Sequence, residues 1–414
     1  MESKQKQSKS KEPNQVDEIV NVGLIGHIDH GKTTLLYALT GQWADKHSEE
    51  LKRGITIKLG YANLTIRKCK VCKRLVLEKI HCNKETEVVK RLTFIDVPGH
   101  EMLMATMLSG AALMDAALLV IAANEPCPQP QTKEHLIALQ VKGVKNIIIV
   151  QNKIDLVSKE EAIKNYYEIK EFVKGTVAEN ATIIPVSAQQ GIGIDILLEE
   201  LTKLKAPKRD INSNPIFLIA RSFDVNKPGT PATQLTGTVL GGVLLRGKLR
   251  VGDEIEIKPG IKVEKKQTKW IPLKTKIAKL VVLDQAKQEV TPCGSMAIAT
   301  SLDPSIGQAD KLAGNVAGLI NKLPEPSYEL KIKFNLFKEV FGTKKAKQIE
   351  PLKVNEALLL SINTSTTLGI VKQLIKDEAI INLKIPVIAF KGSRVGIARN
   401  LEGHWRLIGW GEII

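Results

Sequence analysis

The sequence predicts an α/β domain of the P-loop type followed by two all-β domains. Three observations carry this prediction: a glycine-rich phosphate-binding motif near the start, strands that alternate with helical stretches up to about residue 207, and short β-rich runs beyond it, among them 235–243 and 249–257. Alternating strands and helices are typical of a mostly parallel sheet that is covered on both faces. Short strands separated by Gly and Pro turns are typical of barrels. The chain of 414 residues is long enough for two or three domains.

Changes in composition predict the domain boundaries. Residues 1–18 are rich in Lys, Ser and Gln with no apolar core, so we expect a disordered basic tail. Residues 19–208 should form the α/β domain, with a cysteine-containing insertion at about 67–90. Residues 209–326 and 327–414 should form the second and third domains, with the segment Leu323-Pro324-Glu325-Pro326 as the linker between them.

The phosphate-binding motif begins at Gly26 and reads G-H-I-D-H-G-K-T. An apolar strand precedes it and a helix-forming run follows, which is the context that G-x-x-x-x-G-K-[ST] needs. In such a loop, backbone N–H groups surround the phosphates, the lysine reaches the β- and γ-phosphates, and the last hydroxyl binds Mg²⁺. The alternative is a glycine turn before a core helix. The nucleotide-binding residues predicted from this motif are Asp29, His30, Gly31, Lys32, Thr33 and Thr34.

Two carboxylates near the phosphates suggest cations. Asp96 ends an apolar strand in the sequence Asp-Val-Pro-Gly, where it can hold Mg²⁺ through a water molecule beside Thr33. Gly99 closes the same motif and should offer a backbone N–H to the γ-phosphate. Asp29 lies inside the phosphate cradle itself, where phosphate repels a carboxylate unless a cation screens it. A second bound cation at Asp29 is therefore a hypothesis.

Two further motifs predict the base. Asn152, Lys153 and Asp155 form an N-K-x-D sequence after one apolar strand, and Ser187-Ala188 follows the next. The Asp155 carboxylate can accept hydrogen bonds from guanine N1 and the exocyclic amine, and adenine has no matching donors. The order of the four motifs, each after its own strand, predicts GTP and GDP as ligands. The predicted fold class is thus an α/β P-loop GTPase domain followed by two β-barrel domains.

The phosphate motifs resemble those of elongation factor Tu and its relatives, the translational GTPases. Longer segments are similar to the gamma subunits of archaeal and eukaryotic initiation factor 2, and the resemblance runs from about residue 19 to the C-terminus. These segments are 53–62, 104–107, 126–132, 221–229 and 404–411.

The resemblance implies a switch and a catalytic residue. Thr56 would bind Mg²⁺ and the γ-phosphate, and hydrolysis would release the segment around it. His100 would orient the attacking water. The sequence offers no identifiable arginine finger, so we expect slow GTP hydrolysis that an activating protein accelerates. The alternatives are a β-branched strand residue at Thr56 and a surface histidine at His100.

The insertion carries a cysteine cluster that departs from the family pattern. The resemblance implies two C-x-x-C pairs in a zinc ribbon, but only Cys69 and Cys72 form such a pair, and Glu85 stands where a fourth cysteine would fall. Structural zinc takes four ligands, so His81 or Glu85 would have to join Cys82. Neighbouring side chains in an extended backbone point apart, which argues against using both His81 and Cys82. A zinc site and a metal-free hairpin both stay open.

The net charge of +16 favours a polyanionic partner. The resemblance implies initiator methionyl-tRNA, alpha and beta subunits of a heterotrimer docked on the second and first domains, the small ribosomal subunit and a GTPase-activating initiation factor. It also implies a cytoplasmic protein, and no apolar run reaches the length of a membrane span, so we expect no membrane partner. Candidate tRNA contacts are Arg221, Phe223, Lys248 and Arg250. The alternatives are an elongation-type or selenocysteinyl-tRNA delivery GTPase, and a nucleotide-bound scaffold with negligible turnover.

Overall fold

The computed structural model describes residues 18–42, 59–98, 104–264, 268–340 and 348–414. Within these ranges the chain forms an α/β domain and two β-barrels, which confirms the predicted fold class. The predictions for the basic tail, for Thr56 and for Gly99 and His100 lie outside the described residues.

The strands and helices of the α/β domain alternate along the chain, as the sequence predicts. Its strands are β1 (Ile19–Ile25), β2 (Gly60–Lys68), β3 (Leu75–Val76), β4 (Ile80–His81), β5 (Lys84–Glu85), β6 (Glu87–Asp96), β7 (Ala116–Ala122), β8 (Asn146–Asn152) and β9 (Ile183–Pro185). Its described helices are α1 (Lys32–Thr40), α2 (Met104–Ala111), α3 (Pro130–Lys142), α4 (Lys159–Val173) and α5 (Ile194–Thr202).

Seven of these described strands form one sheet in the order β3-β2-β6-β1-β7-β8-β9. The five strands from β6 to β9 are parallel, and β2 and β3 run antiparallel at one edge. The central strands β1 and β7 are buried along their whole length. Such apolar strands require helices on both faces, and the two large apolar clusters of the domain lie on opposite sides of the sheet. The carboxyl ends of the parallel strands therefore share one edge, where ligands of open α/β sheets bind.

The first barrel closes through six of its described strands, in the order β13-β18-β10-β11-β17-β14 with β13 paired to β14. Its elements are β10 (Ile216–Phe223), β11 (Val239–Arg246), β12 (Leu249–Arg250), β13 (Glu254–Glu264), β14 (Thr268–Val282), β15 (Gln285–Lys287), β16 (Glu289–Val290), β17 (Met296–Thr300), helix α6 (Pro304–Gly307) and β18 (Val316–Leu319).

The strand expected over 235–243 begins only at Val239. The Asn226 side chain accepts from the backbone N–H of Thr236 and donates to its carbonyl, so these groups are not available to a strand. The run expected over 249–257 is divided into β12 and β13, because residues 251 and 252 form a turn.

The second barrel closes in the order β19-β22-β21-β20-β23-β24. Its strands are β19 (Ser327–Leu336), β20 (Ala357–Ile362), β21 (Ser365–Ile375), β22 (Glu378–Val387), β23 (Arg394–Leu401) and β24 (His404–Ile413). No helix in the described part of the chain is long and apolar enough to span a membrane.

Helix α3 joins the α/β domain to the second barrel. Arg406 on β24 faces Glu134 on α3 with N and O atoms 3.1 Å apart, and both side chains are buried. Arg394 donates to the carbonyl of Gln140 at 2.9 Å, near the carboxyl end of the helix, where a cation is favourable. The Lys142 ammonium donates to the Ser361 carbonyl at 3.2 Å, and burial lowers the pKa of this lysine to about 8.

Candidate nucleotide-binding site

The loop between β1 and α1 is shaped by two glycines. Gly26 has φ 143°, and a Cβ there would lie 2.2 Å from the Val120 carbonyl oxygen. Gly31 has φ 84°, and its Cβ would lie 2.4 Å from the amide nitrogen of Asn152. Larger residues would therefore disturb the loop at both positions. The backbone thus forms the close-fitting turn before a helix that a phosphate-binding loop requires.

Lys32 and Thr33 begin α1 directly beneath this loop. The buried Lys32 ammonium donates to the carbonyls of Gly26 and His27, at 3.0 and 2.7 Å. The Thr33 hydroxyl donates to the Asp96 carboxylate at 2.9 Å, although these residues are 63 positions apart in the sequence. A hydroxyl and a fully buried carboxylate so close together are hard oxygen donors, which fit Mg²⁺.

Two buried histidines, one in the phosphate loop and one on α3, hold the loop in place through hydrogen bonds. His30 Nδ1 lies 3.0 Å from the Val120 carbonyl, and its Nε2 lies 3.4 Å from a Glu125 oxygen. His135 on α3 accepts a hydrogen bond from the backbone N–H of Gly26 at 3.0 Å. Burial lowers the pKa of His30 to about 4 and that of His135 to about 3, so both rings are neutral near pH 7. Sequence reasoning missed His135 and Glu125, because neither stands in a recognisable motif.

Asn152 links the phosphate loop to the guanine motifs. Its amide nitrogen donates to the His30 carbonyl at 2.9 Å, and its amide oxygen accepts from the backbone N–H of Ala188 at 3.1 Å. Lys153 adopts φ 61°, and Asp155 follows it in a short 3-10 turn with an exposed side chain. The Ser187 hydroxyl is buried and accepts from the Gln190 N–H at 3.2 Å.

The structure brings most of the predicted nucleotide residues to this edge of the sheet. Gly31, Lys32, Thr33, Asp96 and Asn152 are connected by the contacts above. Thr34 is half-buried in the first turn of α1. Asp29 is exposed, with φ 60°.

The cysteine insertion forms a compact four-residue cluster. One ligand atom from each of Cys69, Cys72, His81 and Cys82 lies within 4.8 Å of the others. His81 Nδ1 is 3.2 Å from Cys82 Sγ and 3.7 Å from Cys72 Sγ. The expectation that His81 and Cys82 point apart was wrong, because Cys82 leaves the extended conformation at φ 50°. Glu85 is exposed opposite Ile80 in the β4–β5 hairpin and is not part of this cluster.

Three thiols and one imidazole are a suitable ligand set for structural zinc. Hydrogen bonds from the backbone N–H groups of Cys72 and Val71 lower the pKa of the Cys69 thiol to about 6, whereas burial raises the pKa of the Cys82 thiol to about 11. A thiol with a lowered pKa more readily provides the thiolate that binds a metal. The residues present therefore fit a zinc ion.

A cavity of about 380 Å³ lies between the α/β domain and the first barrel. Arg221 and Phe223 line it, as do Tyr61 and Gln42 from the α/β domain. Arg221 is held by the Asp310 carboxylate and the Leu59 carbonyl, both at 2.8 Å. The Tyr61 hydroxyl is buried, which raises the pKa of this tyrosine.

The other two candidate tRNA contacts, Lys248 and Arg250, do not line this cavity. Both are exposed, and Arg250 forms an ion pair with Glu289.

Comparison with known families divides the chain into two matched regions. Residues 17–207 match the family described as "Elongation factor Tu GTP binding domain", and residues 328–413 match "Initiation factor eIF2 gamma, C terminal". The chain is 53% identical to translation initiation factor 2 subunit gamma of Methanothermobacter thermautotrophicus, over 95% of this chain and 98% of the relative. The corresponding subunit of Pyrococcus furiosus is 54% identical, over 95% and 97% of the two chains.

Solved structures share the fold at lower identity. A bacterial selenocysteine-specific elongation factor, EF-Sec, matches with a TM-score of 0.74 and 24% identity, and the match covers 95% of this chain and 58% of the other. Elongation factor SelB of Methanococcus maripaludis, in complex with the GTP analogue GppNHp, matches with a TM-score of 0.69 and 23% identity, over 95% and 78% of the two chains.

Proposed function

Because the chain belongs to the family of translation initiation factor 2 gamma subunits, we propose that it carries initiator methionyl-tRNA to the small ribosomal subunit and releases it after GTP hydrolysis. Family membership makes it a GTP-dependent initiation factor and a GTPase. One observation supports the carrier role most directly: the cavity beside the first barrel is lined by Gln42 and Tyr61, which flank in the sequence the segment 43–58 that should respond to the nucleotide.

The nucleotide roles follow from the contacts of the phosphate loop. Gly31 allows the backbone to approach the phosphates, and Lys32 supplies a positive charge among the loop carbonyls. Thr33 would hold Mg²⁺ directly and Asp96 would hold it through water. When bound, the ion would neutralise charge that develops on the phosphate oxygens. Asp155 would select guanine. Asn152 connects the phosphate loop to the base-binding loop through its hydrogen bonds with His30 and Ala188.

Hydrolysis depends on residues outside the described ranges. His100 should position the attacking water, while Gly99 and Thr56 should sense the γ-phosphate. Phosphoryl transfer requires positioning and charge stabilisation more than a strong base. We therefore propose slow GTP hydrolysis that a GTPase-activating initiation factor accelerates. Asp29 remains the candidate for a second cation, because its exposed side chain projects from the phosphate loop.

The interdomain cavity would receive the aminoacylated end of the tRNA. A volume of about 380 Å³ is within the usual range for small-molecule sites. Gln42 and Tyr61 line it and stand close to the two ends of segment 43–58, which contains Thr56. A nucleotide-dependent rearrangement of that segment would change the cavity wall. GTP hydrolysis would in this way lower the affinity for tRNA.

We propose that residues 19–208, 209–326 and 327–414 are the three domains, preceded by the basic tail. An alpha subunit would dock on the second domain and a beta subunit on the first. A translation factor with these partners works in the cytoplasm.

The cysteine cluster would bind one zinc ion through Cys69, Cys72, Cys82 and His81. The purified protein should contain about one zinc per chain, and Cys72→Ser should remove it. Glu85→Gln is the matched control and should keep the metal, because Glu85 lies outside the cluster. Equal zinc content in all three proteins, or none in the wild type, would contradict this site and favour a metal-free hairpin.

A competition experiment tests the carrier role against its alternatives. Labelled initiator methionyl-tRNA is bound to the heterotrimer with a GTP analogue, and unlabelled initiator, elongator and selenocysteinyl tRNAs compete. We expect the charged initiator tRNA to compete best. Preference for selenocysteinyl-tRNA would favour an elongation-type factor, and no tRNA binding would favour the scaffold.

A further inference from the structure

We propose that three lysines on the outer face of the first barrel bind the acceptor-arm phosphates of the tRNA whose aminoacylated end enters the interdomain cavity. Lys274, Lys276 and Lys279 on β14 are here named the lysine row. This inference rests on the proposed carrier function, and it assigns a specific surface to the RNA.

The fold places the lysine row on one face of a strand. Thr275, Ile277 and Leu280 are buried in the barrel, whereas all three lysines are exposed. The register shift between Ile277 and Lys279 is a bulge, which keeps Lys279 on the outside. Alternate residues of a strand lie about 7 Å apart, so each ammonium can meet a separate phosphate.

The row has no acidic partner in the described part of the chain. Glu256 lies opposite Lys274 in the register, but its carboxylate faces Lys258 at 3.4 Å. Glu254 lies opposite Lys276 without forming an ion pair with it among the described contacts. The lysine row thus presents about three uncompensated positive charges.

Exposed lysines on the second barrel have a different environment. Three of them face acids across neighbouring strands: Lys331 with Glu378 at 2.7 Å, Lys333 with Asp377 at 3.2 Å, and Lys372 with Glu329 at 2.6 Å. The two charges of each pair neutralise each other, so the pair attracts a polyanion only weakly. The contrast separates the lysine row from an ordinary solvated surface.

The same strand face leads from the lysine row into the cavity. Val281 follows Lys279 by two residues and lines the cavity, together with its register partner Ala297 on β17. An RNA whose end occupies the cavity can therefore follow β14 to the lysine row. Charge complementarity and this continuity both favour an RNA backbone as the partner.

The test measures how tRNA affinity depends on salt. The full chain, assembled in its heterotrimer with a GTP analogue, is titrated with charged and deacylated initiator tRNA across salt concentrations. Each lost phosphate contact reduces the slope of log K against log salt by about 0.7–0.9. The Lys274→Gln, Lys276→Gln, Lys279→Gln triple variant should therefore lose about 2–3 from the slope with both tRNAs.

Two control variants make the result specific. Replacing Lys331, Lys333 and Lys372 with Gln changes the net charge equally and should leave the slope near the wild-type value. Replacing the lysine row with Arg keeps the charge and should also keep the slope. An unchanged slope in the row variant, or an equal loss in the second-barrel control, would overturn the proposal. Wild-type protein that binds no tRNA would instead refute the carrier function.

Discussion

At the scale of single residues, the candidate site depends on side chains that support the loops as well as those that would touch the nucleotide. Asn152 belongs to a base-recognition motif, yet its amide holds the phosphate loop through the His30 carbonyl. His135 belongs to no motif and holds the same loop through Gly26. The shape of the phosphate loop is therefore set by residues more than 100 positions away in the sequence.

Base selection gives a direct test of Asp155. Asp155→Asn replaces an acceptor with a group that also donates, so GTP affinity should fall and xanthosine triphosphate affinity should rise. Loss of a hydrogen bond to a charged group costs about 1.5–3 kcal/mol, or roughly a 10- to 150-fold change. The measurement is equilibrium binding of both nucleotides. Asp195→Asn, an exposed position in the first turn of α5, is the control with the same charge change. Unchanged preference in the Asp155 variant would refute its role.

His135 predicts a defined acid sensitivity. Its pKa is about 3 in the folded protein and 6.5 ordinarily, so the unfolded state binds the additional proton between these values. Stability should therefore fall as pH decreases from about 6.5, by up to about 1.4 kcal/mol per pH unit from this group. His135→Gln can still accept from Gly26 but cannot titrate there.

Chemical unfolding from pH 7 to pH 5 measures this difference. The Gln variant should show a shallower loss of stability than the wild type. His30, whose pKa is also lowered by burial, contributes the same slope to both proteins. Parallel curves would show that His135 does not titrate on unfolding.

At the scale of elements, helix α3 connects the phosphate loop to the second barrel. His135 contacts the loop, and its neighbour Glu134 contacts Arg406 on β24. The helix is fixed at its carboxyl end by Arg394 and Lys142. These contacts connect the second barrel to the phosphate loop through α3.

The Glu134–Arg406 pair should be a large contributor to this connection. Arg406→Met removes the guanidinium that the buried Glu134 carboxylate faces, and such a loss typically costs about 3–5 kcal/mol. Combining it with Glu134→Gln should recover much of that stability. The free energy of unfolding of both single variants and the double variant measures the coupling. Additive costs in the double variant would show that the pair does not act as a unit.

The strand and helix pattern was largely predictable from sequence, and the exceptions have local causes. The apolar runs before Asp96 and before Lys153 form the parallel strands β6 and β8, because a sheet covered on both faces buries continuous apolar strands. The strand predicted from residue 235 begins later, because the Asn226 side chain forms hydrogen bonds with the backbone N–H and carbonyl of Thr236. The prediction that His81 and Cys82 point apart was wrong, because the positive φ of Cys82 cannot be predicted from composition.

The candidate site was predictable only where chemistry is encoded in short motifs. Lys32, Thr33 and Asp96 could be named because phosphate and Mg²⁺ binding require those residue types in that order. His135 and the lysine row could not, because they depend on which helix and which strand face meet the site. Tertiary packing decides such contacts.

At the scale of the whole molecule, the three domains form one continuous structure. The apolar cluster around α2 and α3 includes Leu218 and Val243 of the first barrel and Leu407 of the second. Gln42 and Tyr61, which line the interdomain cavity, precede and follow in the sequence the segment 43–58 that should change with the nucleotide. The carrier hypothesis therefore predicts that nucleotide state and tRNA affinity are coupled.

The most direct test is the affinity of the assembled heterotrimer for initiator tRNA, charged and deacylated, with a GTP analogue and with GDP. Coupled sites typically differ by about 1–3 kcal/mol, so charged tRNA should bind roughly 5- to 150-fold more tightly in the GTP-analogue state. Removing the methionyl group should weaken binding in that state by an increment that does not change with salt, because it enters a cavity and not a phosphate site. Equal affinity in both nucleotide states, with no loss on removing methionine, would contradict the account.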